Sequence, residues 1–171
     1  TGIGTQHGGI LVDFNAVKGG IEIIPLDNDW QKAAHVYSDE VLISHRTDAE
    51  KGTPKFERGK SLSDHQCEMI YISGTAAIRG EESIVTGDVL VQTEITLENI
   101  QHLIGLEEGR EKLPEHSGKL ELLRVYLKHE EDAKIVKEDM DKLCPDVPIV
   151  YLYADVCREE LLVEIEGIAY L

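Results

Sequence analysis

A carboxylic acid lies among apolar residues near the end of the sequence, in the alternating stretch LLVEIEGIAY. Residues 160–170 have the pattern of a β-strand, which places Glu164 on one face together with Leu162 and Ile168. Glu166 falls on the same face, two positions further along. A carboxyl group beside apolar side chains and a second carboxylate should have a raised pKa, which suits a general acid. The alternative is a solvated carboxylate on an exposed strand, and the pattern alone favours that alternative.

A cysteine precedes this strand in the sequence ADVCREE. Cys157 adjoins Val156, and a cysteine in such a setting is usually a small buried hydrophobe. A nucleophilic role would require a lowered pKa. The other cysteines are Cys67 and Cys144, and the three form neither a CxxC pair nor a metal-ligand spacing. An odd count in a chain of 171 residues is typical of reduced thiols, so we expect a cytoplasmic protein.

Three arginines are candidates for binding a small anionic molecule, namely Arg158, Arg124 and Arg79. A guanidinium group suits this task because it can bind a carboxylate through two parallel hydrogen bonds. Arg158 is the strongest candidate because it adjoins Cys157. In an acidic chain each arginine could instead form a surface ion pair.

Two further groups could contribute to a binding site. Ser73, Gly74 and Thr75 follow a predicted strand, where backbone N–H groups can face a ligand, although they could also form a simple tight turn. Tyr151 and Tyr153 alternate on another predicted strand and could line a pocket. They could equally belong to the core or to a subunit interface.

The charge of the chain limits its partners. Lysine and arginine number 17 against 33 acidic residues, which gives a net charge of −16. This balance argues against nucleic acid and against anionic membranes, but a few local arginines can still bind a small anion. No membrane-length apolar run, signal peptide, phosphate loop, Rossmann fingerprint or zinc motif occurs in the sequence. We therefore expect no metal and no cofactor, and we expect His102 and His116 to face solvent.

Hydrophobic periodicity predicts the elements that position these residues. It predicts strands at residues 9–18, 67–73, 120–127, 147–153 and 160–170, and helices at 88–106 and 130–143. Asp88 can cap the first helix, and Pro145 follows the end of the second. Residues 19–60 are predicted to form an irregular linker or lid with one short strand at Val41–Ser44. Two helices against one mixed sheet make an α+β layer.

One internal sequence similarity bears on the domain organisation of the chain. The stretch Leu11–Val17 matches Leu162–Ile168 in the placement of its apolar and polar residues. If both stretches close a domain, the chain begins at the tail of an earlier repeat. The alternative is chance, because any half-buried strand alternates in this way.

Several of these segments resemble known families. The RidA-like (YjgF-like) proteins share segments similar to ISGTA at 72–76, GDV at 87–89, QT at 92–93, LENI at 97–100 and VEIEGIA at 163–169. The chorismatase family shows a narrower resemblance in TGIGT at 1–5, KGTPKFERG at 51–59, SGTAAIRGEES at 73–83, LRVYLK at 123–128 and ADVCREELLVEIEG at 154–167. The resemblance to chorismatases covers nearly the whole chain.

The resemblance implies a fold and an assembly. RidA-like proteins have an α+β, chorismate mutase-like fold in which two helices pack on one face of a mixed sheet, and they form homotrimers with ligand clefts between subunits. Chorismatases contain two such domains in tandem. Residues 1–60 would then comprise the end of a preceding RidA-like repeat plus a linker, and residues 61–171 would form a RidA/YjgF-like domain.

The resemblance also implies a reaction. Chorismatases cleave chorismate to pyruvate and a hydroxybenzoate or dihydroxycyclohexadiene carboxylate, and a glutamate matching Glu164 protonates the enolpyruvyl methylene group. Cys157 matches the cysteine of the subtype that forms 3-hydroxybenzoate. Arg158, Arg124 and Arg79 become candidates for binding the two carboxylates of a chorismate-like substrate.

Two other functions are compatible with the same fold. RidA imine deaminases bind the substrate carboxylate through an arginine on the penultimate strand, and the corresponding position here is Ile149, which disfavours that activity. A non-catalytic, trimeric ligand-binding module is the other alternative. The labels of translation initiation inhibitor and endoribonuclease that this superfamily also carries fit poorly with a net charge of −16.

Overall fold

The computed structural model describes residues 3, 12, 14–42, 52–65, 67–105 and 119–171. Its elements, in chain order, are β1 (Glu22–Leu26), a 3-10 turn (Ala34–Val36), β2 (Gly59–Ser63), β3 (Glu68–Thr75), β4 (Ile78–Arg79), β5 (Glu82–Ser83), α1 (Val89–Ile104), β6 (Lys119–Leu127), a second 3-10 turn (Glu130–Asp132), α2 (Ala133–Leu143), β7 (Ile149–Tyr153) and β8 (Val163–Tyr170).

Six of the strands form one sheet, in the order β1-β2-β3-β8-β6-β7. Neighbouring strands are antiparallel except β6 and β7, which are parallel because α2 connects them. The short strands β4 and β5 form a separate hairpin. The sheet is therefore mixed, as predicted.

Both helices pack on the same face of this sheet. The main core joins Ile100 of α1 and Met140 of α2 to alternate residues of the central strands, including Leu123, Val125 and Ile165. This alternation buries every second side chain of a strand against the helices and turns the others to the opposite face. The α+β layer predicted from the sequence is confirmed.

Helix α1 begins and ends at residues suited to those positions. The Asp88 carboxylate accepts hydrogen bonds from the backbone N–H groups of Leu90 and Val91, at 2.9 and 3.4 Å, which confirms the predicted cap. The helix ends at Gly105, whose φ of 72° lies in the left-handed region that glycine tolerates. None of the helices in the described part of the chain is long and apolar enough to cross a membrane.

The prediction for the first third of the chain was wrong in several respects. Neither Val12 nor residues 14–18 have regular secondary structure. The rest of the predicted strand 9–18 lies outside the described residues. Val41 and Leu42 do not lie in a strand, and residues 43–44 are again outside the described part.

Conversely, residues predicted to be irregular contribute β1 and the start of β2. Strand β1 is almost entirely exposed and contains Pro25, so its own sequence lacks a strand pattern. Pairing with β2 creates the strand instead, because tertiary context overrides weak β-propensity and an edge position tolerates proline. The sheet of the predicted domain 61–171 therefore extends back to Glu22. An earlier repeat before it stays a prediction.

Candidate active site

Four segments of the chain enclose a cavity of about 300 Å³, which we call the central pocket. Its lining residues come from 37–42, 52–58, 74–78 and 157–164. The last segment runs into β8, and the third contains the end of β3 and the start of the β4–β5 hairpin. A cavity of this size is at the lower end of the range typical of small-molecule sites.

Glu164 projects from β8 into the central pocket on the face opposite the helices. The residue is 6% exposed. Burial raises the pKa of Glu164 to about 7, and the nearby carboxylate of Glu166 acts in the same direction. A carboxyl group with this pKa holds a proton over much of the neutral range and can deliver it to a bound molecule, as a general acid must.

Cys157 also lines the central pocket. The residue retains exposed surface, but protein surrounds the thiol. Burial raises the pKa of Cys157 to about 11, and the charge of Glu164 raises it further against the opposing effect of Arg158. The thiol is therefore neutral at neutral pH. The lowered pKa that a cysteine nucleophile requires is absent from this residue.

Arg158 is buried between the central pocket and the β4–β5 hairpin. Its Nη1 atom donates to the carbonyl oxygen of Glu81 at 2.8 Å and to the Ser83 hydroxyl at 2.9 Å. Its guanidinium carbon lies 5.5 Å from the ring centre of Tyr37. The hairpin thus holds this cation in one orientation at the pocket wall.

A second buried cation, Arg58, was missed by the sequence analysis. It immediately precedes β2, lines the central pocket and is 4% exposed. Its Nη2 atom donates to the carbonyl oxygen of Lys32 at 2.7 Å and to the hydroxyl of Tyr37. Its Nε atom is buried and has no hydrogen-bond partner among the described residues. The segment KGTPKFERG that contains Arg58 was itself part of the resemblance, so a signal was present.

Tyr37 contacts both cations. The Arg58 guanidinium lies 5.8 Å from the ring centre of Tyr37 and 5.1 Å from that of Phe56, distances typical of cation–π contacts. Arg158 contacts the same Tyr37 ring. Two guanidiniums and a carboxyl group with a high pKa therefore make this pocket locally suited to an anion, in spite of the charge of the whole chain.

The segment that contributes Tyr37 is attached to the rest of the domain by a buried polar network. Asn28 donates to the carbonyl oxygen of Asn99 at 2.9 Å. The Asn99 side chain donates in turn to the carbonyl oxygens of Ala76 and Ile78. These hydrogen bonds explain why α1 can bury a polar side chain such as Asn99 on this face.

The structure brings together some predicted site residues and separates others. Gly74 lines the central pocket, whereas Thr75 is buried with its hydroxyl donating to the carbonyl oxygen of Ser73 at 3.0 Å. Arg79 pairs with Glu98 at 2.6 Å and lies over the ring of Trp30, outside this pocket.

Arg124 and Tyr151 also lie away from the pocket lining. Arg124 lies on β6, where its Nε atom is 3.1 Å from the Glu166 carboxylate. Tyr151 is on β7 and packs against the main core on the helix side of the sheet. Burial raises the pKa of Tyr151 to about 12, and the charge of Asp141 adds to this. These two residues belong to the same sheet as Glu164 but do not line the central pocket.

His102 does not face solvent as predicted. It is 4% exposed, stacks on Trp30 with ring centres 3.9 Å apart, and contacts the Asp29 carboxylate. His116 lies outside the described residues. Within the ranges that the structure describes, no group of three His, Cys, Asp or Glu side chains is arranged to hold a metal ion.

Solved structures define the class of this fold. Rv2704 of Mycobacterium tuberculosis, a member of the YjgF/YER057c/UK114 family, superposes with a TM-score of 0.51 at 19% identity, over 68% of this chain and 86% of that one. Yeast Mmf1 superposes with a TM-score of 0.58 at 12% identity, over 86% and 98%. Such identities establish the fold alone, and the fold is RidA/YjgF-like.

Relatives of higher sequence identity are named chorismatase or 3-hydroxybenzoate synthase. A crystal structure of chorismatase superposes with a TM-score of 0.70 at 28% identity, over 86% of this chain and 43% of that one. Chorismatase of Streptomyces rapamycinicus is 34% identical over 98% of this chain and 49% of that protein. 3-Hydroxybenzoate synthase of Streptomyces hygroscopicus is 32% identical over 98% and 49%. No protein-family model matches the chain.

The chain is thus homologous to chorismatases along nearly its whole length. It spans about half the length of the curated relatives that it matches.

Proposed function

We propose that this chain is part of an enzyme that cleaves chorismate, with Glu164 as the general acid. The observation that carries the proposal is a buried carboxyl group with a pKa of about 7 in a pocket that also contains two buried guanidiniums. Homology to chorismatases over 98% of the chain supplies the substrate class.

The first chemical step is a proton transfer from carboxyl to carbon. Glu164 protonates the methylene carbon of the enolpyruvyl ether, which leaves an oxocarbenium-like centre and a Glu164 carboxylate. Water adds to that centre, and the carboxylate accepts a proton from the water. The resulting hemiketal passes its hydroxyl proton to the ring oxygen as the C–O bond breaks, which releases pyruvate and a dihydroxycyclohexadiene carboxylate. A hydroxybenzoate product requires in addition that the ring lose one water. The acid and base roles of the pyruvate-releasing step alternate at one residue.

The arginines have a binding role in this scheme. Chorismate carries two carboxylates, and the central pocket has two guanidiniums, Arg158 and Arg58, which both contact Tyr37. The buried Arg58 Nε donor is available for a ligand oxygen, which would satisfy a polar atom that is otherwise costly to bury. We expect conservative replacement of either arginine by lysine to raise KM more than it lowers kcat.

Cys157 has a separate proposed role. Its neutral thiol is not a nucleophile at neutral pH, so it is better suited to shaping the ring end of the pocket. Cys157→Ala should therefore change the ring product between hydroxybenzoate and dihydroxycyclohexadiene carboxylate without stopping pyruvate release. An unchanged product, identified by chromatography and mass spectrometry, would refute this role.

The imine deaminase alternative has less support. Its arginine position is occupied by Ile149, which lies on β7 opposite Leu123 and packs against the main core. An apolar side chain in this place cannot bind a carboxylate. A non-catalytic binding module differs from the proposed enzyme only in its lack of turnover, so an activity measurement separates the two.

The decisive experiment uses the full-length protein that contains this chain. Pyruvate release from chorismate is followed by a coupled dehydrogenase assay for the wild type, Glu164→Gln and Glu94→Gln. Glu94 is exposed on α1 and serves as the matched control. We expect release by the wild type and the control and none by Glu164→Gln. A folded wild type that releases no pyruvate, or an active Glu164→Gln variant, would overturn the proposal.

A further inference from the structure

A fixed cluster of three side chains lies beside Glu164 on the face of the sheet opposite the helices. The Tyr126 hydroxyl donates to Glu166 Oε1 at 2.6 Å, and Arg124 Nε lies 3.1 Å from the same oxygen. The strand register explains this contact, because Arg124 is opposite Glu166 and Tyr126 is opposite Glu164. The Glu166 side chain is 13% exposed.

Both neighbours of Glu166 in this cluster are hydrogen-bond donors. Burial raises the pKa of Tyr126 to about 12, and the Glu166 charge adds to that effect, so the phenol remains a donor over the whole neutral range. A carboxylate that receives a hydroxyl and a guanidinium is satisfied as an anion. The cluster therefore holds a negative charge at a set place, two residues along β8 from Glu164.

This charge bears on Glu164, which lies on the same face of β8. The charged and titratable groups around Glu164 are Arg58, which precedes β2, Arg158 and Cys157 of the loop before β8, Tyr126 of β6 and Glu166 of its own strand. Burial and the Glu166 charge both disfavour the ionised form of Glu164.

We propose that Glu166 is a positioning residue, which acts together with burial to keep Glu164 in its acid form. Tyr126 and Arg124 hold the Glu166 carboxylate in place, and the Arg124 charge limits its effect. The catalytic meaning of this arrangement rests on the proposed function, but the electrostatic arrangement itself does not.

The alternative is a cross-strand ion pair that only stabilises the contact between β6 and β8. The two explanations predict different effects of the Glu166 and Arg124 charges on the pH at which Glu164 loses its proton. If Glu166 acts on Glu164, removing its charge should make Glu164 lose its proton at lower pH. Removing the Arg124 charge should do the opposite. A purely structural pair predicts no such opposition, because either replacement would simply loosen the strands.

The titration of Glu164 can be measured directly by infrared difference spectroscopy of its protonated carboxyl band, which is assigned by its loss in Glu164→Gln. We expect Glu166→Gln to lower the midpoint by about half a pH unit or more and Arg124→Gln to raise it. Glu121→Gln removes another carboxylate on β6, which pairs with Lys119 at 3.3 Å, and should leave the midpoint unchanged.

Circular dichroism establishes that each variant folds. If Glu166→Gln does not fold, the upward midpoint in Arg124→Gln alone decides the outcome. Coincident midpoints in all variants, or shifts of the same sign in both, would overturn the inference even where pyruvate is released normally. Conversely, absence of pyruvate release with midpoints that move in opposite directions would count against the proposed function and leave the role of Glu166 supported.

Discussion

Replacing Glu164 by glutamine should make the stability of the protein less dependent on pH. Burial raises the pKa of Glu164 from its ordinary 4.5 to about 7. The unfolded chain therefore loses this proton at a lower pH than the folded protein does. The stability associated with the protonated side chain is complete below pH 4.5, falls as the pH rises towards 7, and is constant above that value.

The magnitude follows from the two pKa values. One pKa unit corresponds to about 1.36 kcal/mol, so the difference between 4.5 and about 7 amounts to on the order of 3 kcal/mol. Solvent screening reduces this figure little, because the side chain is 6% exposed. For a domain of this size the same free energy corresponds to a Tm difference of about 6 to 12 °C.

Thermal unfolding of the wild type, Glu164→Gln and Glu94→Gln from about pH 4 to about pH 9 tests this reasoning. The Tm of Glu164→Gln should rise relative to that of the wild type between pH 4.5 and about 7. Above that pH the Tm difference between the two proteins should stay constant. Glu94→Gln should stay parallel to the wild type because Glu94 is exposed. A Tm difference between Glu164→Gln and the wild type that does not change with pH would refute a buried carboxyl with a raised pKa.

Three further predictions concern the surrounding structure. Gly167→Ala should lower the free energy of unfolding in urea by about 3 kcal/mol or more, since the added Cβ would lie 2.4 Å from the Leu122 carbonyl oxygen; a loss under about 1 kcal/mol would contradict this close approach. Asp88→Ala should lower Tm by about 2 to 4 °C through loss of the helix cap, and an unchanged melting curve would argue against the cap. Iodoacetamide should modify Cys157 more slowly than the exposed Cys67 at neutral pH, because the pKa of Cys157 is raised to about 11; faster modification, measured by mass spectrometry, would contradict that value.

The second half of the fold could be predicted because its strands and helices contain their own patterns. Each of β3, β6, β7, β8, α1 and α2 lies close to its predicted position, since periodic burial of one face is encoded locally. Strands β1 and β2 lack that property. Their backbone groups become ordered only by pairing with β3 and with each other, so no local signal identifies them.

The site divides in a similar way. Glu164, Cys157 and Arg158 lie within eight positions of one another in sequence, and the structure places all three at one pocket. Arg58 and Tyr37 reach the same pocket from segments more than 90 positions away. Their proximity depends on the order of the strands in the sheet and on the polar network around Asn99. Neither can be predicted from the local sequence pattern.

The sequence by itself determined which side chains alternate on β8 and therefore that Glu164 and Glu166 share a face. It also determined the class of fold, because the amphipathic periods of two helices and four strands admit one α+β layer. Only the tertiary structure decided that this face is covered at Glu164, where desolvation raises the pKa of the carboxyl, and that Arg124 pairs with Glu166 instead of entering the pocket. The physical reason is that desolvation and charge pairing depend on what lies across the sheet, which is set by residues distant in the chain.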